Sequence, residues 1–173
     1  MQRHCLLALL TVLALTLGSP SFAQVEYRPE GGGFRLQFPG PFHVRIEQVS
    51  MSFGNTRGTI ARLERDDGIK LYAQYLDYPS AATQEGPQRL LDGLRLGRTV
   101  KGKVRSEQRF MLDGNPAQRE IVDWDFATRP VIVALDVLRG LRLYSIFCIV
   151  ERGQESSPDV QSFFDSFELL RSE

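Results

Sequence analysis

Beyond residue 23 the sequence holds one histidine, His43, and one cysteine, Cys148. A tetrahedral zinc centre draws three or four ligands from His and Cys at short spacing, and this inventory cannot supply one. A nucleophile–histidine–carboxylate relay through His43 lacks any supporting motif such as Gly-x-Ser-x-Gly. His43 is therefore expected on the surface of an edge strand. Cys148 stands inside the apolar run Ile146-Phe147-Cys148-Ile149-Val150, which fits a buried thiol rather than a reactive one. Gly31-Gly32-Gly33 lacks the further spaced glycines and the preceding strand of a phosphate-binding loop. No cofactor, metal ligand or catalytic residue is assigned.

The carboxylates and arginines leave more open. Asp66-Asp67 precedes a glycine and fits a turn. Asp123 and Asp125 alternate with Trp124 and fit a solvated strand face. Neither pair has the regular oxygen-ligand spacing of a calcium loop. Glu120 shares a strand face with Val122, Trp124 and Phe126. Two readings stand for it: a buried ion pair with an arginine, or a polar group in a pocket. Arg62, Arg65, Arg105, Arg109, Arg119 and Arg142 alternate along strands. They could gather for a partner or an anionic ligand, or stand as a solvated face among glutamates. Glu120, Tyr144, Arg109 and Arg119 form the candidate pocket or partner face.

The elements that must position these groups follow from periodicity. Phe34, Leu36 and Phe38 alternate with polar residues as a short strand, stopped by Pro39-Gly40-Pro41. His43 to Val49 fits an edge strand. Asp66-Asp67-Gly68 joins two alternating runs, a hairpin signal. Leu90, Leu91 and Leu94 take helical spacing, so a helix is predicted from about Gln84 to Leu96, with Gly97 as its C-terminal cap. Strands follow over 101–112, 120–126, 131–138 and 141–150. The last two are apolar on both faces, so they belong in the middle of a sheet covered twice. Ser157 and Pro158 open a final helix, with Val160, Phe163, Phe164 and Phe167 on one stripe. Its expected partner is the face carrying Trp124 and Tyr144.

The first 23 residues have the parts of an export signal. Arg3 and His4 precede an apolar run from Leu6 to Leu17, and small residues lead to cleavage after Ala23. A run of twelve residues, interrupted only by Thr11 and Thr16, makes a helix of roughly 18 Å, short of a hydrocarbon core of about 30 Å. Cys5 precedes the run, so no lipid attachment site follows it. The mature chain is expected to be soluble, without stable membrane insertion, in the periplasm or secreted outside the cell. Residues 24–32 read as a flexible lead-in and 33–173 as a single domain. The whole chain has 21 basic and 21 acidic residues; losing Arg3 leaves 20 against 21. That balance gives no sign of the basic face that nucleic acid binding calls for. With Cys5 removed, Cys148 has no partner for an intramolecular disulfide.

Several of these features resemble one family. They are Phe34-Arg35-Leu36-Gln37-Phe38-Pro39, the helix around Leu90-Leu91, the turn from Gly114 to Glu120, Arg139-Gly140-Leu141-Arg142-Leu143-Tyr144, and Phe163-Phe164-Asp165-Ser166-Phe167. Together, over residues 33 to 170, they resemble the small extracytoplasmic domains related to PsbP, the extrinsic protein of the oxygen-evolving photosystem. Ala117 replaces a glycine common in the relatives' turn. The resemblance implies an α+β fold, an antiparallel β-sheet sandwiched between helices. It also implies a non-enzymatic accessory or assembly role with a protein partner; a small-ligand carrier or a hydrolase is the alternative. No catalytic residue carries over. The leader makes one outcome measurable: intact mass and N-terminal sequencing of the exported protein should give a chain starting at Gln24, and a chain still starting at Met1 would overturn the signal.

Overall fold

The computed structural model describes residues 23–51, 54–126 and 128–171. The expected leader, Ala23 apart, lies outside the described residues. The chain runs through β1 (Val25–Tyr27), β2 (Phe34–Phe38), β3 (His43–Met51), β4 (Gly54–Glu64), β5 (Lys70–Asp77) and a 3-10 turn (Ser80–Gln84). Then come α1 (Gly86–Thr99), β6 (Gly102–Leu112), β7 (Asn115–Trp124), β8 (Val131–Arg139), β9 (Arg142–Val150), α2 (Pro158–Asp165) and β10 (Glu168–Leu169). Seven strands form one antiparallel sheet in the order β3-β4-β5-β9-β8-β7-β6, and β1-β2-β10 form a small second sheet. The fold is α+β, a large antiparallel sheet flanked by two helices.

The hairpin predicted at Asp66-Asp67-Gly68 joins β4 to β5, with Glu64 opposite Lys70. Asp67 serves the turn, accepting from the Ile69 amide at 3.2 Å and from Arg65. At the centre, β8 and β9 are buried on both faces as their composition requires. One face meets β2, α2 and their neighbours. Phe34 packs edge-on against Tyr144, and Phe38 lies 5.1 Å from Phe163 between ring centres. The other face carries α1, whose Leu90 and Leu91 join Leu76, Leu138 and Leu143. Further along it, Val122, Ile132 and Ala134 pack with Trp124 and Phe147.

Local expectations needed correction in four places. The final helix packs on the Tyr144 face, but Trp124 points to the opposite one. Pairing sets Glu120 opposite Ala134 and Ala134 opposite Phe147, so even-numbered residues of β7 share a face with odd-numbered residues of β9. Gly97 does not cap α1, which runs on to Thr99; Arg98 is held there by contacts made across the sheet. Ser157 occupies the N-cap position of α2, but its hydroxyl makes no cap hydrogen bond. The segment expected as a flexible lead-in carries β1, antiparallel to β2, with Tyr27 buried against Phe34 and Phe38.

Burying a large apolar side chain stabilises by about 1.5–3 kcal/mol, and α2 contributes three, Val160, Phe163 and Phe164. Removal of residues 158–173, which also deletes β10, is expected to abolish the cooperative unfolding transition in urea followed by circular dichroism. A truncated chain that stays soluble and unfolds cooperatively would contradict this packing account.

Candidate functional site

Two polar features lie along α1, one beneath it and one at its C-terminal end. Beneath it, Arg98 reaches the sheet. Its guanidinium forks onto Asp136 at 2.5 and 2.7 Å, donates to Ser145 Oγ at 2.9 Å and lies 3.3 Å from Glu120 Oε2. Ser145 Oγ donates to Asp136 at 2.7 Å. Gln118 Nε2 donates both to the Leu91 carbonyl of α1 and to Asp136. Asp136 and Glu120 are fully buried. The register explains the meeting: Ser145 pairs with Asp136 and Asp136 with Gln118, all pointing to the α1 face. Burial pushes the Glu120 carboxyl above its usual range; Arg98 opposes that, while Asp136 and Glu107 add to it. Among the described residues, Glu120 Oε1 has no hydrogen-bond partner. One guanidinium thus faces two buried carboxyl groups, and it lies closer to Asp136 than to Glu120. This cluster fastens helix to sheet.

The second feature is open. A cleft of about 510 Å³ lies where α1 ends, β6 begins and β7 turns towards β8. Lys101, Lys103, Arg129 and Arg152 line it against Asp123 and Asp125. Asp123 is already held by Arg105 and Arg152, which keep its carboxyl below the usual range. Among the described residues, Lys101, Lys103 and Arg129 form no ion pair with a carboxylate. Aromatic surface lies beside these cations. The Trp124 and Phe126 rings meet edge to face at 5.1 Å, and Lys101 Nζ sits 5.5 Å from the centre of Phe126, which is 40% exposed. Val100, next in line, is 79% exposed.

Close packing builds the cleft wall. Trp124 Nε1 donates to the Arg98 carbonyl at 2.8 Å, capping one of the carbonyls that a helix end leaves free. The Asp125 amide donates to the Lys101 carbonyl at 2.8 Å. A Cβ at residue 102 would stand 2.7 Å from Trp124 Cδ1 and 2.8 Å from Val122 Cγ1, so only glycine lets β6 pass this close. Gly102 thereby sets Lys101 and Lys103 on the rim.

The residues singled out in the sequence do not converge. Glu120 is in the cluster under α1. Tyr144 is buried on the opposite face against Phe34 and Phe167. Arg109 lies on edge strand β6, paired with Glu107 and Asp92. Arg119 faces the α2 side, 5.4 Å from the centre of the Phe164 ring. Of the other arginines, Arg62, Arg65, Arg105 and Arg142 each pair with a carboxylate. Cys148 is buried, and burial pushes its thiol up to about 12, which leaves it protonated and inert. His43 is exposed at the start of β3. The basic cleft was missed because its cations come from three separate segments. Only Lys101 and Lys103, two apart and next to a glycine, leave a local trace.

Among the described residues, no group of three or more His, Cys, Asp or Glu side chains could hold a metal ion, and no helix is long and apolar enough to cross a membrane. The structure is similar to the solution structure of cyanobacterial PsbP (CyanoP) from Synechocystis sp. PCC 6803, with a TM-score of 0.55 at 11% identity, covering 89% of this chain and 95% of that one. A Pseudomonas aeruginosa protein of unknown function aligns at 12% identity and a TM-score of 0.44, over 87% of this chain and 99% of that one. No protein-family model and no curated protein matches the chain. The likeness to cyanobacterial PsbP is one of fold.

The cluster under α1 makes two variants informative. Arg98→Ala leaves two buried carboxylates without their cation and should cost about 3–5 kcal/mol. Glu120 has a raised folded pKa, so its proton favours the folded state below the unfolded pKa, and that contribution is lost as pH rises through the folded value. E120Q should therefore gain stability relative to the parent as pH rises from the ordinary glutamate range towards neutral. Urea titrations across that range read the difference, and a constant offset between the two proteins would refute a retained proton.

Proposed function

We propose that the mature chain is a non-enzymatic accessory domain that works outside the cytoplasm by binding a protein partner. The observation that carries this reading is the cleft at the end of α1. Three cations that have no carboxylate partner among the described residues stand beside exposed Phe126 and Val100, on a chain whose overall charge is balanced. Binding surfaces combine apolar and aromatic anchors with a polar rim, and complementary charge steers the encounter. The partner segment is acidic and carries an apolar side chain to lie against Phe126. The leader sequence supports delivery across a membrane. The resemblance to PsbP-related domains, and the fold shared with cyanobacterial PsbP, support an accessory role.

The test uses the chain from residue 24 onward, immobilised and crosslinked mildly to proteins of its native envelope, beside the double variant K101E/K103E. The parent should capture a partner whose recovery falls as salt rises, and the charge-reversed variant should recover it about tenfold less. No partner with the parent, or equal recovery with both, would sink the proposal. Unchanged thermal unfolding of the variant would establish that the fold is intact.

A further inference from the structure

The two edges of the seven-stranded sheet are built differently. On β6 the register shifts between Val104 and Ser106, and the strand carries Lys103, Arg105, Glu107 and Arg109. A bulge and a row of charges are the devices that keep a sheet edge from pairing with another chain. Edge strand β3 has neither the bulge nor a proline. Its nine residues pair with β4 in unbroken register, and among the described residues its backbone hydrogen bonds run to β4 alone. Two branched aliphatic side chains stand out from it, Val44 at 51% and Ile46 at 68% exposure. They point to the face that buries Ala61, β4's partner to Val44. The only charges within the strand are Arg45 and Glu47, which hold each other at 2.6 Å on the opposite face.

We infer that β3 pairs antiparallel with β3 of a second copy, centred on Ile46, to join two sheets across a two-fold axis. Symmetry restricts the register, because a two-fold axis normal to the sheet must set one residue opposite itself. Centring on Arg45 or Glu47 would put like charges face to face, which destabilises a cross-strand pair. Centring on Ile46 sets Ile46 on its own copy, Arg45 opposite the partner's Glu47, and Glu47 opposite the partner's Arg45. It also brings Val44 opposite the partner's Gln48, with both valines flanking the isoleucine pair. The outward backbone groups of β3 gain partners, and the aliphatic strip loses its water. The occupant is thus a second copy, because the strand's charges and apolar residues complement themselves in this register. Strand pairing alone buries less than a standard stable interface, so the dimer is weak and concentration-dependent.

Charge exchange tests the register. Sedimentation or light scattering on the chain from residue 24 onward should show the average mass climbing from one chain towards two with concentration. R45E and E47R, each alone, should weaken association by about tenfold or more, because each sets like charges opposite one another. Mixing R45E with E47R should restore a one-to-one dimer, since position 45 of each chain then faces an opposite charge at position 47 of the other. Ile46→Cys should give a disulfide-linked dimer on oxidation, as opposed residues of antiparallel strands lie within disulfide reach. Buried Cys148 stays out of that reaction. A parent that remains monomeric at the highest concentration, or single variants that associate as well as the parent, would overturn the inference. So would a mixture no more associated than its components.

Discussion

The β8–β9 pair governs the rest of this structure. Both strands are buried on both faces along almost their whole length. Backbone groups there are satisfied by the ladder, but the apolar side chains on either side must be hidden from water. One face is closed by α2 and the small β1-β2-β10 sheet, with a run of aromatic contacts from Tyr27 through Phe34 and Phe38 to Phe163. The other is closed by α1. The order of the strands puts β8 and β9 inside, and the buried residues of this pair are uncharged with one exception.

That exception is Asp136, in the middle of β8, with Ser145 across from it on β9. A carboxylate in such a place must be neutralised or kept protonated. Arg98 does the first for Asp136, and at Glu120 burial raises the carboxyl's pKa while Arg98 opposes it. The same guanidinium decides where α1 ends. The helix continues past Gly97 to bring Arg98 over the sheet, and Trp124 then caps its carbonyl. The open cleft at the helix end is a consequence of that fastening. Lys101 and Lys103 are delivered to the surface because the chain must leave the helix there and slip past Trp124 with a glycine. The buried polar cluster and the exposed basic cleft are thus two ends of one packing problem.

Much of the fold was legible along the chain. Alternation located β2, β4 and β5, apolar runs between turns located β8 and β9, and the stripe of Val160, Phe163 and Phe164 located α2. Shorter pieces escaped: β1 and β10 are too brief for any periodicity and exist through pairing with β2. Glu120 was legible as a polar residue on an apolar face, and the ion-pair reading matches its contact with Arg98. Its arginine was not, because Arg98 sits on a helix and was hidden among many strand arginines. The cleft was the least legible feature. Its cations lie in the α1–β6 junction, the loop after β7 and the loop after β9, which are far apart in the sequence.

The sequence by itself determined the alternating strands, the doubly apolar central pair that demands two covering layers, and the place of Cys148 in a hydrophobic run. These depend on local composition and on periods of two or 3.6 residues, which need no partner to be read. Tertiary structure alone decided which faces meet. Whether Trp124 looks towards α1 or α2 depends on the β7-β8-β9 register, where a shift of one residue exchanges the two faces of a strand. Which arginine reaches Glu120, and which cations share a cleft, depend on distances between segments that only the folded sheet brings together.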